Sequence, residues 1–151
     1  MVKSIGVISD THGLLRDEIK SRLSDRDLII HAGDIGDPAI LTELRQLAEV
    51  VAVRGNVDGG AWAQELAWEE YVDVDDWRIC IVHDLGTLSV DPAGAGLDVV
   101  IHGHSHRPGI ERRGGILYLN PGSAGPKRFR LPVAMALVAI EPGAFSPEII
   151  T

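Results

Sequence analysis

Short apolar, β-branched runs recur along the chain at Ser4–Ser9, Asp27–His31, Val50–Val53, Trp77–His83, Leu97–His102, Ile116–Leu119 and Val133–Ile140. Runs this short with little polar alternation predict strands buried on both faces. Between the early runs the period changes. Leu15, Ile19 and Leu23 fall on one stripe within Leu14–Leu23, and Ile40, Leu44 and Leu47 do so within Ala39–Ala48. Each stripe predicts an amphipathic helix, and Pro38 suits the first turn of the second. Strand, helix, strand, helix, strand is the start of a parallel βαβαβ unit.

The later part of the chain has turn signals in place of helical stripes. Leu66–Val74 leads through Asp75-Asp76 into Trp77–Val82, and Gly109–Arg113 leads through Gly114-Gly115 into Ile116–Leu119. Both read as hairpins. Val133–Ile140 and Phe145–Ile150 then finish the fold as strands. The expected class is α/β, with two β-sheets packed face to face and helices outside. Pairing is expected to be parallel in the first half and antiparallel in the second. No repeat, low-complexity stretch or linker interrupts the pattern, so residues 1–151 are expected to form one domain.

Composition agrees with a globular chain, with 45 % hydrophobic and 24 % charged residues. The net charge of −8, from 14 basic and 22 acidic side chains, argues against a nucleic-acid interface, which needs a basic face. Cys80 is the lone cysteine, so no internal disulfide forms, and its apolar neighbours make it a buried strand residue rather than a nucleophile. Met1-Val2-Lys3-Ser4 lacks a secretory pattern, and no apolar run approaches the ~20 residues of a membrane span. A soluble, cytoplasmic protein is expected.

Candidate chemistry gathers where the runs end. Asp10-Thr11-His12, Gly33-Asp34, Gly55-Asn56, His83 and Gly103-His104-Ser105-His106 each follow an apolar run. In α/β sheets ligands collect outside the carboxyl ends of strands, so five such clusters converge on one crevice. Asp10 and His12, two apart in extended chain, point to one side, as do His104 and His106, so each pair grips from one direction. Carboxylate, imidazole and amide together suit borderline ions such as Mn²⁺, Fe²⁺, Zn²⁺ or Ni²⁺. The glycines before Asp34, Asn56 and His104 are read as tight turns that swing these side chains inward. His31 and His102 are read as hydrogen-bonded core residues. Asp58 is read as a carboxylate that orients a ligand, whereas Asp84 is either that or a turn residue.

In this order the motifs resemble the calcineurin-like metallophosphoesterase superfamily, whose signature runs D-x-H, G-D, G-N, a His after a strand, and G-H-x-H. The likeness spans nearly the whole chain. Its short length, Arg54-Gly55-Asn56-Val57-Asp58 and Asn120-Pro121-Gly122-Ser123 are similar to the compact YfcE-type phosphodiesterase branch. The resemblance implies a four-layer αββα sandwich and two divalent metal ions, with manganese the first expectation. It implies Asp10, His12 and His106 on the first ion and Asn56, His83 and His104 on the second, with Asp34 bridging them. Asp34, Asn56 and His104 are then also the catalytic residues. It further implies phosphodiester hydrolysis by a bridging water activated between ions roughly 3.5–4 Å apart.

Two positions depart from the family pattern. Val57 stands where many members carry a histidine directly after G-N, and His83-Asp84-Leu85 replaces the compact branch's H-G-H. Both changes are expected to remove groups from the rim of the site and not from the ligand set. Arg128 is either a phosphate contact or a solvated loop charge. The segment between His83 and Leu97 is short for the family, which predicts an open site or room for a neighbouring subunit. Trp62, Trp68 and Tyr71 are expected to be buried in the second sheet, with a homo-oligomer interface as the alternative. The substrate expected is a small phosphodiester. A phosphomonoesterase, or a protein-binding scaffold like the retromer subunit that resembles this family, are the alternatives.

Overall fold

A computed structural model describes residues 2–128 and 130–151; Met1, at the head of the segment read above for a leader, lies outside them. Among the described residues, ten strands form two five-stranded sheets. The first sheet has the order β10-β9-β1-β2-β3, from β1 (Ser4–Ile8), β2 (Leu28–His31), β3 (Glu49–Ala52), β9 (Met135–Glu141) and β10 (Ala144–Ile150). The second has the order β4-β5-β6-β8-β7, from β4 (Glu69–Val74), β5 (Trp77–Val82), β6 (Val99–Ile101), β7 (Gly109–Arg113) and β8 (Ile116–Asn120).

The expected pairing holds for β1, β2 and β3, which are parallel. It fails for the second half, where β5, β6 and β8 are also parallel and the antiparallel β4 and β7 form the edges. The last two strands return to the first sheet, β9 antiparallel to β1 and β10 to β9. Both hairpins form, because a turn is local: Gly114 and Gly115 take φ of 58° and 80°, the conformation two-residue turns need. Which strand then lies beside a hairpin is decided by burial. Ile79, Cys80 and Ile81 are covered on both faces, so β5 belongs in the interior of a sheet.

Alternate residues divide the packing. Ile5, Val7, Leu28 and Ile30 of the first sheet meet Ile79, Ile81, Val99, Ile101, Leu117 and Leu119 of the second in the central core. Ile8, Ile29 and Met135 face the other way, onto Ile19 and Leu23 of α1 (Asp17–Leu23) and Ile40 and Leu44 of α2 (Pro38–Arg45). The second sheet's outer residues, Cys80, Val82, Val100 and Ile116, are covered by Leu85, Leu88, Val90 and Ala95. That cover is a 3₁₀ turn (Leu85–Thr87) and the chain after it, so the fourth layer of the sandwich is thin. Burial pushes the Cys80 thiol up to about 11, so it stays protonated as a packing residue. Among the described residues no helix is long and apolar enough to cross a membrane.

Helix boundaries follow their caps. α2 starts where Asp37 accepts a hydrogen bond from the Ala39 N–H at 2.9 Å, with Pro38 in the first turn. α1 starts at Asp17 and not at Leu14, because residues 11–14 are held in a turn by the Leu14 N–H bond to the Thr11 carbonyl. A short helix unheralded by any stripe, α3 (Ala61–Gln64), leads to β4. Trp68 and Tyr71, expected in the core, are 56 % and 46 % exposed, and Trp62 is half-buried against the helix side of the first sheet.

Candidate metal centre

Five of the strands β1, β2, β3, β5 and β6 deliver their C-terminal ends to one place. Asp10 and His12 follow β1, Asp34 follows β2, Asn56 follows β3, His83 follows β5, and His104 and His106 follow β6. Their side chains form two groups whose ligand atoms lie within 4.8 Å of one another, Asp10–His12–His106 and Asp34–His83–His104. Asn56 joins the second, accepting from His104 Nδ1 at 3.2 Å. Asp34 Oδ2 stands between the groups, 3.6 Å from His12 Nε2 and 3.1 Å from His83 Nε2. Asp10 Oδ1 is likewise central, 3.3 Å from His106 Nε2 and 3.7 Å from both His12 Nε2 and His83 Nε2.

The extended-chain reading of the pairs is corrected here. Asp10, His12, Asp34, His104 and His106 all take left-handed backbone, with φ of 56°, 45°, 55°, 70° and 62°. Among the described residues Asp75, in the β4–β5 turn, is the one other non-glycine residue to do so. Left-handed backbone at a non-glycine residue costs energy and persists where surrounding structure enforces it, a pattern concentrated at functional sites. Its effect is to send His104 and His106 into different groups, where extended chain would place them side by side. The glycines also act differently from expectation. Gly33 has a φ of 99°, but Gly55 and Gly103 are needed for space. A Cβ on Gly55 would overlap Asp34, and one on Gly103 would overlap Ser9 Oγ and lie 2.7 Å from Asp10 Oδ2.

Second contacts fix the donors. His83 Nδ1 donates to the Ala32 carbonyl at 2.7 Å, so Nε2 is the nitrogen that faces the site. Asp10 Oδ2 accepts from Ser9 Oγ at 2.6 Å and from the His104 N–H at 3.2 Å, and Asp34 Oδ1 accepts from the Val57 N–H at 3.0 Å. The other oxygen of each carboxylate is left facing the imidazoles. Among the described residues, Asp10 Oδ1, His12 Nε2, His83 Nε2 and His106 Nδ1 are the buried side-chain atoms with no hydrogen-bond partner. Buried polar atoms are rarely orphaned. Three of them, Asp10 Oδ1 with His12 Nε2 and His83 Nε2 each 3.7 Å from it, converge on one spot, and oxygen with imidazole nitrogen donors fits divalent transition-metal ions.

Charges within the site shift its titrating groups in opposite directions. Burial pushes Asp34 up, but the His83 imidazole beside it and the Val57 N–H outweigh it and hold the carboxyl below its ordinary 3.8. Burial pushes His83 down, but the Asp34 and Asp10 carboxylates outweigh it and hold the imidazole above 6.5. His106 is lowered, because burial, joined by Arg128 and His12, outweighs the opposing pull of Asp10 and Asp34.

Of the residues set aside as structural, His31 is fully buried, accepts from the Gly33 N–H at 3.1 Å and reaches Thr11 Oγ1 at 3.0 Å, which in turn donates to the Ile35 carbonyl. Burial drives its pKa to about 3, so it is a neutral brace between the β1 and β2 loops. Burial lowers His102 as well. Asp58 accepts from the backbone N–H groups of Ile35, Gly36 and Gly55 at 3.2, 2.9 and 2.9 Å, tying the Asp34 loop to the Asn56 loop. Asp84 caps the 3₁₀ turn through the Gly86 N–H, the turn role of the two considered for it, and its Oδ2 stays 4.0 Å from His104 Nε2, beyond hydrogen-bond reach. Val57 is 52 % exposed at the rim, whereas Leu85 packs under the second sheet and not at the site. Two supports escaped notice in the sequence. Asn120 Nδ2 donates to the Gly103 carbonyl and Ser105 Oγ, and Ser123 Oγ donates to the Asp10 carbonyl. Their Asn-Pro-Gly-Ser setting was the available signal.

The calcineurin-like phosphoesterase superfamily domain matches residues 4–143. The chain belongs to that superfamily. A probable metallophosphoesterase of Methanocaldococcus jannaschii is 39 % identical over 146 residues, covering 88 % of this chain and 74 % of the relative. A second protein of that organism, named a phosphodiesterase, is 32 % identical over 136 residues, covering 78 % and 82 %. The solved structure of Chaetomium thermophilum Vps29 superposes with a TM-score of 0.81 over 98 % of this chain and 96 % of its own, at 19 % identity, a likeness of fold. A metallophosphoesterase uses divalent metals, and the two Asp/His groups described above are suited to hold them.

Proposed function

We propose that this metallophosphoesterase is a phosphodiesterase with a dinuclear centre. Asp10, His12 and His106 would hold one ion, Asn56, His83 and His104 the other, with the Asp34 carboxylate shared. The observation that carries this reading is the trio of buried, unpartnered atoms Asp10 Oδ1, His12 Nε2 and His83 Nε2, drawn from loops of both sheets, with Asp34 Oδ2 3.6 and 3.1 Å from the two nitrogens. Divalent ions there supply Lewis-acid charge toward phosphoryl oxygens and lower the pKa of water.

The chain's own groups do the rest. Asp34 stays ionised because the Val57 N–H and His83 hold it so. Asn56 Oδ1 accepts from His104, which leaves the amide Nδ2 as a donor for a phosphoryl oxygen. His104 is the most open imidazole of the set, with 48 % of its side chain exposed, and it faces the approach of substrate. No imidazole follows Asn56, because Val57 offers the site only its backbone N–H. Leaving-group protonation is therefore weakly supported, and esters of acidic alcohols are expected to be turned over best. The diester preference draws support from the 32 % identical relative named a phosphodiesterase.

The test is hydrolysis of bis(4-nitrophenyl) phosphate beside 4-nitrophenyl phosphate. Turnover is expected to vanish with chelator, to return with Mn²⁺, and to favour the diester. Metal content near zero with chelator-insensitive turnover overturns the metal reading. Faster monoester turnover makes the protein a phosphomonoesterase, and bound metal with neither reaction makes it a scaffold.

A further inference from the structure

A cleft of about 340 Å³ opens directly from the centre, sharing Asn56 and His83 with it and walled otherwise by Arg54, Trp68, Asp84 and Thr87. Trp68 is 56 % exposed, unusual for the largest apolar side chain when a core lies a few residues away. The Arg54 guanidinium lies over its ring, 4.6 Å from the centroid. Arg54 is held in turn. Its N–H donates to the Ala67 carbonyl at 2.8 Å and its Nε to the Asp58 carbonyl at 3.2 Å. Asp58 is the residue that ties the Asp34 and Asn56 loops together, so the stacked pair is anchored to the centre.

The remaining wall narrows the choice of occupant. Thr87 has its hydroxyl occupied by the Asp84 carbonyl at 2.8 Å. Asp84 lines the same cleft as Arg54, so its carboxylate offsets the guanidinium charge that would draw a second phosphate. A guanidinium stacked on an indole is instead a flat, sequence-tolerant platform for another ring.

Resting on the proposed reaction, we infer that this cleft is the subsite for one ester group of the substrate, and that the group it takes is a planar aromatic or heteroaromatic ring, such as a nucleobase, stacked on the Arg54–Trp68 pair. A phosphoryl group at Asn56 and His83 would direct one of its ester arms into this space.

Phenylphosphonate and methylphosphonate test this, since they share a charged head and differ in the ring. Their binding to the Mn²⁺-loaded protein is followed by tryptophan fluorescence and calorimetry. Phenylphosphonate is expected to bind about tenfold more tightly, in line with the worth of one ring-on-aromatic stack. Trp68→Ala is expected to abolish the preference and Trp68→Phe to keep most of it. Equal binding or no binding of the two probes overturns the inference, as does a preference that survives Trp68→Ala. Turnover of bis(4-nitrophenyl) phosphate is measured in parallel. Absent turnover with an intact ring preference counts against the phosphodiesterase reading and leaves the subsite standing.

Discussion

Asp34 has one carboxylate oxygen fixed by the Val57 N–H and the other aimed at His12 and His83. Asp34→Asn keeps the shape and removes the charge both groups share. It is expected to abolish turnover and lower bound metal, measured by elemental analysis, while the far-ultraviolet circular dichroism stays native. His83 gives the centre a pH dependence whose sign is fixed. Its pKa is raised in the fold, so its contribution to metal-free stability is full below 6.5 and is lost as pH rises through the raised value. Asp34 is lowered, so its contribution is present above 3.8 and is lost as pH falls through the lowered value. In chelator, the melting temperature is expected to decline as pH rises past about 6.5, and His83→Gln to flatten that decline. Metal requires His83 without its site-facing proton, so Mn²⁺ affinity by calorimetry is expected to run the opposite way and strengthen with pH. Affinity independent of pH would contradict this.

Loops after strands, and not the strands themselves, carry the chemistry, and Asp58 shows how they are coupled. Its carboxylate takes backbone N–H groups from two loops, and buried donors left without it cost about 1–3 kcal/mol each. Asp58→Ala is expected to destabilise the fold by on the order of 3 kcal/mol in denaturant titrations and to weaken Mn²⁺ binding about 10–100-fold. Metal affinity unchanged in that variant would show that the loops hold their shape alone. The sequence reads Asp58 as orienting a ligand side chain, whereas its partners are backbone N–H groups, which no side-chain pattern announces. The candidate ligands were legible because histidine is scarce, with six in the chain, and each cluster follows an apolar run. Their division into two groups was not, because it depends on left-handed backbone at His104 and His106 that no side-chain pattern announces. Strands and hairpins were readable for similar reasons, burial and local turns. α3, four residues long, is too short to show a period.

At the scale of the molecule, the two sheets pack on a shared apolar core, and the centre sits at one end of that seam. Ile81, fully buried there, is expected to cost about 2–5 kcal/mol on replacement by Ala, with a fall in melting temperature of roughly 2–4 °C per kcal/mol. Sheet membership was the part of the fold least visible in the sequence, because it joins residues far apart. β9 pairs with β1, Val7 facing Ala136 and Ser4 facing Ala139. On the ribosome, β1 is therefore made first and waits with one edge bare until nearly the whole chain has followed. Its Ile5 and Val7 have no polar substitute to keep other edges away. Closing so long a loop is slow, and the interval before β9 arrives is when this chain is most exposed to aggregation. Chains released before residue 141 are expected to accumulate as insoluble protein, however complete their metal-binding motifs.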